Sequence, residues 1–576
     1  MIQSHAKRAR ARRRRFCIAP ALVLLATGAA APVLAQSSEP FRQNRADVSG
    51  RSGAVVAGHP LAAAAGYQVL RRGGNAVDAA VTMAAVLAVV RPHMNGVGGD
   101  AFALFYEAST RRITGLNGSG RAGALATPDL FAQRGLDEVP DNGALTITVP
   151  GAVSAWTAAL ERYGTITLAD ALAPAIELAE NGWVVTATLQ RDIAEAVQRL
   201  NDGGRAIFAP GGELPAVGAV LRNPALARTL RTIAEGGADA FYRGSIAEQL
   251  ARFVEAEGGY LRVDDFRQHQ PQWVEPLSAQ LAGGRRAWAM PPNSQGFVQL
   301  SQLAMSEHYD LAQMQHNSAE YLHTLIEIKK LAFADRDRWL ADPAFAPPPL
   351  DRLLEGEYLR RRATLVGTRA AERVPAGVGA PMQVEPASGD GDTVYLMAVD
   401  ARGNAVSWIQ SLFSTFGSGL VDPQTGIVLQ NRGAGFTLDR NHPNVIAPGK
   451  RPFHTLTPLL VTDGNNDLRL TIGTPGGHGQ SQFLTQVYHN VFTFGMSPQQ
   501  AVEAARYIHD GGLRVRIERG VRDEVVDALA ARGHDLSVIS GWNATFGGVQ
   551  LILIDPASGA RRTGADPRRE AYGLAY

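Results

Sequence analysis

The chain has 576 residues, of which 45% are hydrophobic and 19% charged, with a formal net charge of +2. That composition excludes a disordered or fibrous protein, and the length allows two to four domains. Seven of the 56 Lys and Arg and none of the 54 acids lie in the first 35 residues, so the rest carries 49 bases against 54 acids, near −5, and presents no basic surface for nucleic acid.

Residues 1–15 hold Lys7, Arg8, Arg10 and Arg12 to Arg15; an apolar run follows to about Ala31, and Val33-Leu34-Ala35 precedes Gln36. This reads as a secretory leader, too short for a good spanning helix. Arg13-Arg14-Arg15-Phe16 resembles a twin-arginine export signal. The expectation is a periplasmic or secreted protein with no membrane contact after leader removal. The only cysteine, Cys17, lies in the leader, so disulfides and cysteine metal sites are excluded from the mature chain.

Residues 54–57 read as a strand, and 60–72 as an Ala-rich helix begun by Pro60 and stopped by Gly73-Gly74. Residues 76–91 are apolar on nearly all sides and read as a buried helix. A glycine loop, Asn95-Gly-Val-Gly-Gly-Asp100, leads into paired strands at 101–107 and 112–117. From about 150 to 340 the pattern is mostly helical, with clear helices at 168–181, 224–235, 245–257 and 318–340. Residues 367–391 are rich in Gly and Pro and read as an exposed, flexible stretch. Beyond it strands are expected at 393–399, 405–411, 426–430, 457–462, 468–473 and 548–555, with helices at 480–494 and 498–507. The ends of the chain are expected to close one layered sheet-and-helix core.

Common catalytic motifs are missing. There is no Gly-x-Ser-x-Gly and no His-Glu-x-x-His, and the 13 histidines show no ligand spacing, so neither a serine hydrolase nor a zinc hydrolase is supported. No metal or organic cofactor is implied. What stands out is Gly391-Asp392-Thr393, where a threonine opens a strand directly after the flexible stretch. An internal threonine lacks a base, whereas a threonine at a new chain start carries one in its own α-amine. Ser411 ends the partner strand, within reach of Thr393. Gly476-Gly477 follows a strand and offers backbone N–H groups suited to an oxyanion hole.

Several pieces together resemble the gamma-glutamyltranspeptidase family of N-terminal-nucleophile hydrolases: Gly73-Gly-Asn-Ala-Val-Asp-Ala-Ala80, Gly96-Val-Gly-Gly99, Thr393 with Asp400-x-x-Gly-Asn-Ala-Val406, Thr415-Phe-Gly-Ser-Gly419, Lys450-Arg-Pro452, Thr457-Pro458 and Thr474-Pro-Gly-Gly477. The resemblance implies an α/β fold of the αββα sandwich type, made as a precursor that cuts itself between Asp392 and Thr393. Residues 36–392 would form a large subunit and 393–576 a small one. Thr393 would be the nucleophile, Ser411 would stand for the family's usual second threonine, and Gly476 and Gly477 would hold the oxyanion. The substrate would be a small-molecule amide, γ-glutamyl or another acyl amide, with water or an amine as acceptor. The substrate pocket departs from the family pattern. Ser119 stands where an arginine grips the γ-glutamyl carboxylate, with Arg121 two residues on; His454-Thr455 replaces a serine pair; Phe413, Arg432 and Gly435 replace an asparagine, a glutamine and an acid. Arg432 reverses the local charge and can grip a carboxylate. The alternatives are an acylase of other carboxylated amides, including β-lactam side chains, and a binding protein that has kept the fold without the chemistry.

Overall fold

In a computed structural model the chain is described over residues 43–379 and 391–576. The leader and residues 380–390 of the stretch read as flexible lie outside the described residues.

Two seven-stranded sheets form the centre. One has the order Val48–Gly50, Arg561–Ala565, Gln550–Ile554, Leu468–Gly473, Leu459–Thr462, Arg286–Ala289, Leu277–Gln280. The other runs Tyr572–Ala575, Ala54–Ala57, Asp392–Val399, Ala405–Phe413, Asp100–Glu107, Arg112–Gly118, Gln272–Val274. All pairings within these two sheets are antiparallel. As the sequence implies, both ends of the chain enter both sheets.

Each central strand is covered on both faces, so its residues are apolar at nearly every position. Side chains alternate along a strand. Tyr395, Met397 and Val399 therefore point between the sheets, into a core shared with Ile409, Leu460 and Ile552. Val394, Leu396 and Ala398 face outward, into the core that includes the helices Pro60–Arg71 and Ala76–Val90. The sheet that contains Leu459–Thr462 and Leu468–Gly473 is covered by Gly296–Ser306, Gln480–Phe492 and Pro498–Glu503, through Leu300, Leu303, Phe483 and Val487. The result is the αββα sandwich.

Three expectations need correction. Residues 426–430 make only isolated bridges, Val421 with Val428 and Gly98 with Leu429, because the segment turns at Gly426 (φ 70°) instead of extending. The helix expected to reach 507 stops at Glu503, and Tyr507–Gly511 pairs with Arg514–Glu518 in a separate small sheet. The helical middle is interrupted by Gln272–Val274 and Leu277–Gln280, which supply an edge strand to each sheet, and by Arg286–Ala289, the strand next to one of those edges. Among the described residues no helix is long and apolar enough to cross a membrane.

Candidate active site

Asp392–Val399 and Ala405–Phe413 form a hairpin closed by Asp400, whose carboxylate accepts from the N–H groups of Arg402 (2.9 Å) and Asn404 (3.0 Å). Pairing is regular from Val399–Ala405 to Val394–Gln410 and then slips, so that Asp392 faces Phe413. Phe413 takes up the irregularity with φ 81°, a region costly for a non-glycine residue. Thr393 shares the inter-sheet face with Tyr395, and Ser411 shares it with Ile409. The two hydroxyls meet there, at the open end of the hairpin.

The Thr393 hydroxyl donates to Ser411 Oγ at 3.2 Å, and the Ser411 hydroxyl donates to the carbonyl oxygen of Asp392 at 2.8 Å. Ser411 Oγ also accepts from the Phe413 N–H (2.8 Å) and from an Arg432 Nη (2.9 Å). A hydroxyl has one proton and two lone pairs, so the three donors compete for the lone pairs of Ser411 Oγ while its one proton goes to Asp392. Its proton polarises the Asp392 carbonyl.

The loop after Leu468–Gly473 approaches from the other sheet. Gly476 (φ 123°) and Gly477 (φ 49°) have backbone conformations that L side chains rarely adopt. A Cβ placed on Gly391 would lie 3.0 Å from Gly477 Cα, so this loop touches the segment just before Asp392.

Arg432 opens the short turn Arg432–Gly435 and is almost completely buried. Its guanidinium lies 4.4 Å from the centre of the Phe413 ring. No carboxylate among the described residues pairs with it, and its Nε has no hydrogen-bond partner there. Burial lowers its pKa to about 10, with the negative charge of Asp100 acting in the opposite sense. His454 is fully buried, its Nε2 2.8 Å from Ser119 Oγ and 3.4 Å from an Asp100 oxygen. Burial first, and then the Arg432 charge, push it down to about 4, so it is neutral at ordinary pH.

The hairpin and its surroundings thus gather Asp392, Thr393, Ser411, Phe413 and Arg432, with the Gly476-Gly477 loop against Gly391. His454 sits beside Ser119. Thr455 is buried with its carbonyl held by Gln295 (2.7 Å). Arg121 stands apart: it donates to the Gly449 carbonyl (2.8 Å) and lies 3.5 Å from Asp342. Residues not singled out in the sequence include Asp100, held by the Gly120 N–H (3.0 Å) and Gln430 (3.1 Å), and Asn293, which donates to Ser119 Oγ (3.1 Å). Two more are Thr415 and Arg569, whose side chains both bind the Asp392 carboxylate. Only the glycines just before Asp100 and the Thr415-Phe-Gly-Ser-Gly419 piece marked any of these in the sequence.

Away from this site His323, Glu327 and His534 bring ligand-type atoms within 4.8 Å of one another, a grouping invisible to spacing because His534 lies far along the chain. His323 and His534 face each other at 2.8 Å, the other His323 nitrogen meets the Gly367 carbonyl at 2.8 Å, and Glu327 pairs with Lys330 at 2.7 Å. The Lys330 ammonium already balances the carboxylate.

The family model for gamma-glutamyltranspeptidase matches residues 62–576. The chain belongs to that family. A glutathione hydrolase-like YwrD proenzyme of Bacillus subtilis is 40% identical over 92% of this chain and 99% of the relative. An oxamate amidohydrolase proenzyme of Klebsiella pneumoniae is 36% identical over 91% of this chain and 98% of the relative. Among solved structures, a cephalosporin acylase from Bacillus halodurans superimposes with a TM-score of 0.87 at 38% identity, covering 94% of this chain and 98% of that one. Within the gamma-glutamyltranspeptidase family, then, the chain resembles members named for three different amide substrates.

Proposed function

We propose that this gamma-glutamyltranspeptidase-family chain is exported, cuts itself between Asp392 and Thr393, and then hydrolyses small amides whose acyl group carries a carboxylate. The Arg-rich and then apolar first 35 residues are the basis for placing it in the periplasm or outside the cell. Two of the relatives are named as proenzymes, which supports a precursor that matures by cleavage.

In the first reaction Thr393 Oγ1 attacks the Asp392 carbonyl carbon. The C–N bond breaks, the hydroxyl proton passes to the released amine, and an ester joins Asp392 to the Thr393 side chain. Water opens the ester, giving a carboxylic acid at Asp392 and restoring the hydroxyl. The large subunit, 36–392, and the small one, 393–576, remain interleaved: Asp392–Val399 pairs with Ala54–Ala57, and Leu459–Thr462 with Arg286–Ala289. The fragments are expected to co-elute in size-exclusion chromatography until denaturant is added; separation in native buffer would contradict this arrangement.

In the second reaction the free α-amine takes the Thr393 hydroxyl proton, and Oγ1 attacks the substrate carbonyl. The Gly476 and Gly477 N–H groups hold the developing oxyanion, each such donor contributing about 3 kcal/mol. The amine product leaves with the proton, and water or an acceptor amine releases the acyl group from the ester.

The observation that carries the substrate reading is Arg432, a buried cation with no acid partner among the described residues. A buried charge with no ion-pair partner in contact is costly and reads as half of an ion pair completed by a ligand. Two hydrogen bonds, of 2.9 and 3.2 Å, link Arg432 through Ser411 to Thr393 Oγ1, so the guanidinium lies within about 6 Å of the attacking oxygen. That short reach suits a carboxylate one or two carbons from the reacting carbonyl, as in oxamate. A γ-glutamyl group would bring an ammonium beside Arg432, with Phe413 and Gly435 offering no counter-charge. The second reading, γ-glutamyl compounds, rests on the glutathione hydrolase-like relative. Kinetics on a donor panel separate the two. Short carboxylated amides are expected to exceed γ-glutamyl-p-nitroanilide by roughly 100-fold in kcat/KM; faster turnover of the anilide would replace the first reading by the second.

A further inference from the structure

The residue before the scissile bond is gripped by its side chain. Asp392 Oδ1 accepts from an Arg569 Nη at 2.7 Å, and Oδ2 accepts from the Thr415 hydroxyl. The Arg569 side chain is 12% exposed and Thr415 is partly buried, and both belong to the part of the chain after the cut.

Arg569 is held in turn. Its Nε donates to the Ala544 carbonyl at 3.0 Å, and Gly548 passes so close that a Cβ there would come within 2.8 Å of Arg569 Cβ. Its neighbours are pinned as well: Arg568 pairs with Glu518 at 2.7 Å, and Glu570 pairs with Arg91. The Asp392 carboxylate is therefore held by an arginine that is itself hydrogen-bonded and packed along its stem.

Both Asp392 oxygens are committed to Arg569 and Thr415, while the Thr393 hydroxyl donates to Ser411. The carboxylate is thus an anchor and not the base that takes the Thr393 proton. With the carbonyl oxygen held by Ser411 and the strand paired at Phe413, Asp392 is fixed at three points around the carbon that Oγ1 must reach. A polar cavity of about 310 Å³, lined by Arg91, Asp192, Asp392, Gly476, Trp542 and Arg569, opens on the same residue. It gives water a route to the ester.

We infer that Arg569, with Thr415, is a positioning residue for self-cleavage that recognises an acidic side chain immediately before the scissile bond. The inference rests on the reading that the chain is cut between Asp392 and Thr393. It concerns the N→O acyl shift alone, in which the Asp392 C–N bond is exchanged for a C–O bond and the hydroxyl proton moves to the new amine. Small losses of alignment in such a step cost up to about 100-fold.

The test is the first-order rate at which full-length chain converts to two fragments during a cell-free translation chase. Arg569→Met and Asp392→Ala are each expected to slow conversion by roughly 10- to 100-fold, with Arg569→Lys in between. Turnover per cleaved Thr393 site, counted by acyl burst, is expected to be unchanged in Arg569→Met. Asp392→Ala leaves the Arg569 packing intact and decides the matter if Arg569→Met fails to fold, which the melting temperature of Thr393→Ala/Arg569→Met against Thr393→Ala reports. Wild-type conversion rates in both variants would overturn the inference, as would an equal loss of per-site turnover in Arg569→Met. Thr393→Ala, run alongside, tests the underlying reading separately: cleavage of that variant sinks the Asp392–Thr393 cut itself.

Discussion

Thr393→Ala is expected to leave the chain in one piece and to reduce amide hydrolysis by on the order of 10⁴-fold or more, the scale at which nucleophile removal acts. Two losses combine. Without the hydroxyl nothing attacks Asp392, so the α-amine is never released; without the amine no base is present even if another hydroxyl were available. Thr393→Ser keeps the oxygen on the inter-sheet face beside Ser411 and is expected to restore both cleavage and activity in part. Denaturing gels and initial rates on the same preparations check this. Full activity in uncut Thr393→Ala would remove the threonine from the chemistry altogether.

Replacing Arg432 by Met is expected to stabilise the protein while disabling it toward carboxylated amides. Burial lowers the Arg432 pKa from 12.5 to about 10, and at about 1.4 kcal/mol per unit this sets the cost of the buried cation at roughly 3 kcal/mol. Because the folded-state pKa is the lower one, the unfolded chain holds the proton more tightly. The cost is fully present below pH 10 and is relieved as pH rises from about 10 toward 12.5. Methionine removes the charge but forfeits the contacts to Ser411 and Phe413, leaving a net gain of roughly 1–2 kcal/mol, visible as a higher melting temperature at neutral pH. On short carboxylated amides kcat/KM is expected to fall roughly 100-fold, while neutral amides change little. In the parent enzyme kcat/KM is expected to decline as pH rises through about 10, where free Arg432 loses its proton, and in Arg432→Met that decline should be absent. A lower melting temperature together with equal losses on neutral and carboxylated amides would mean that Arg432 is structural.

The contrast between these positions shows what the sequence could carry. Thr393, Ser411 and the turn at Asp400 lie within one hairpin, so strand alternation alone brings the two hydroxyls to the same face. The sandwich was legible because 393–399 is an apolar run and 468–473 alternates apolar with polar residues, each of strand length and bounded by turn residues. The small sheet built on Tyr507–Gly511 was not, because its first strand follows a helix without a strong stop signal; Arg506, just before it, is buried against Asp566 at 2.5 Å, a contact from far along the chain. Asn293 and Arg569 reach the site from far along the chain, and no local pattern marks them. Arg121 shows the converse. Its position in sequence suited a carboxylate grip, yet its side chain is spent on Asp342 and Gly449.

The most direct measurement is the intact mass of each polypeptide in enzyme quenched with acid during turnover of a short carboxylated amide. The account predicts a fragment running from Thr393 to Tyr576 that carries the added mass of the acyl group, with tandem fragmentation placing that mass on the first residue. A mature enzyme with no chain starting at Thr393, or with the acyl group bonded to any other side chain, would contradict it.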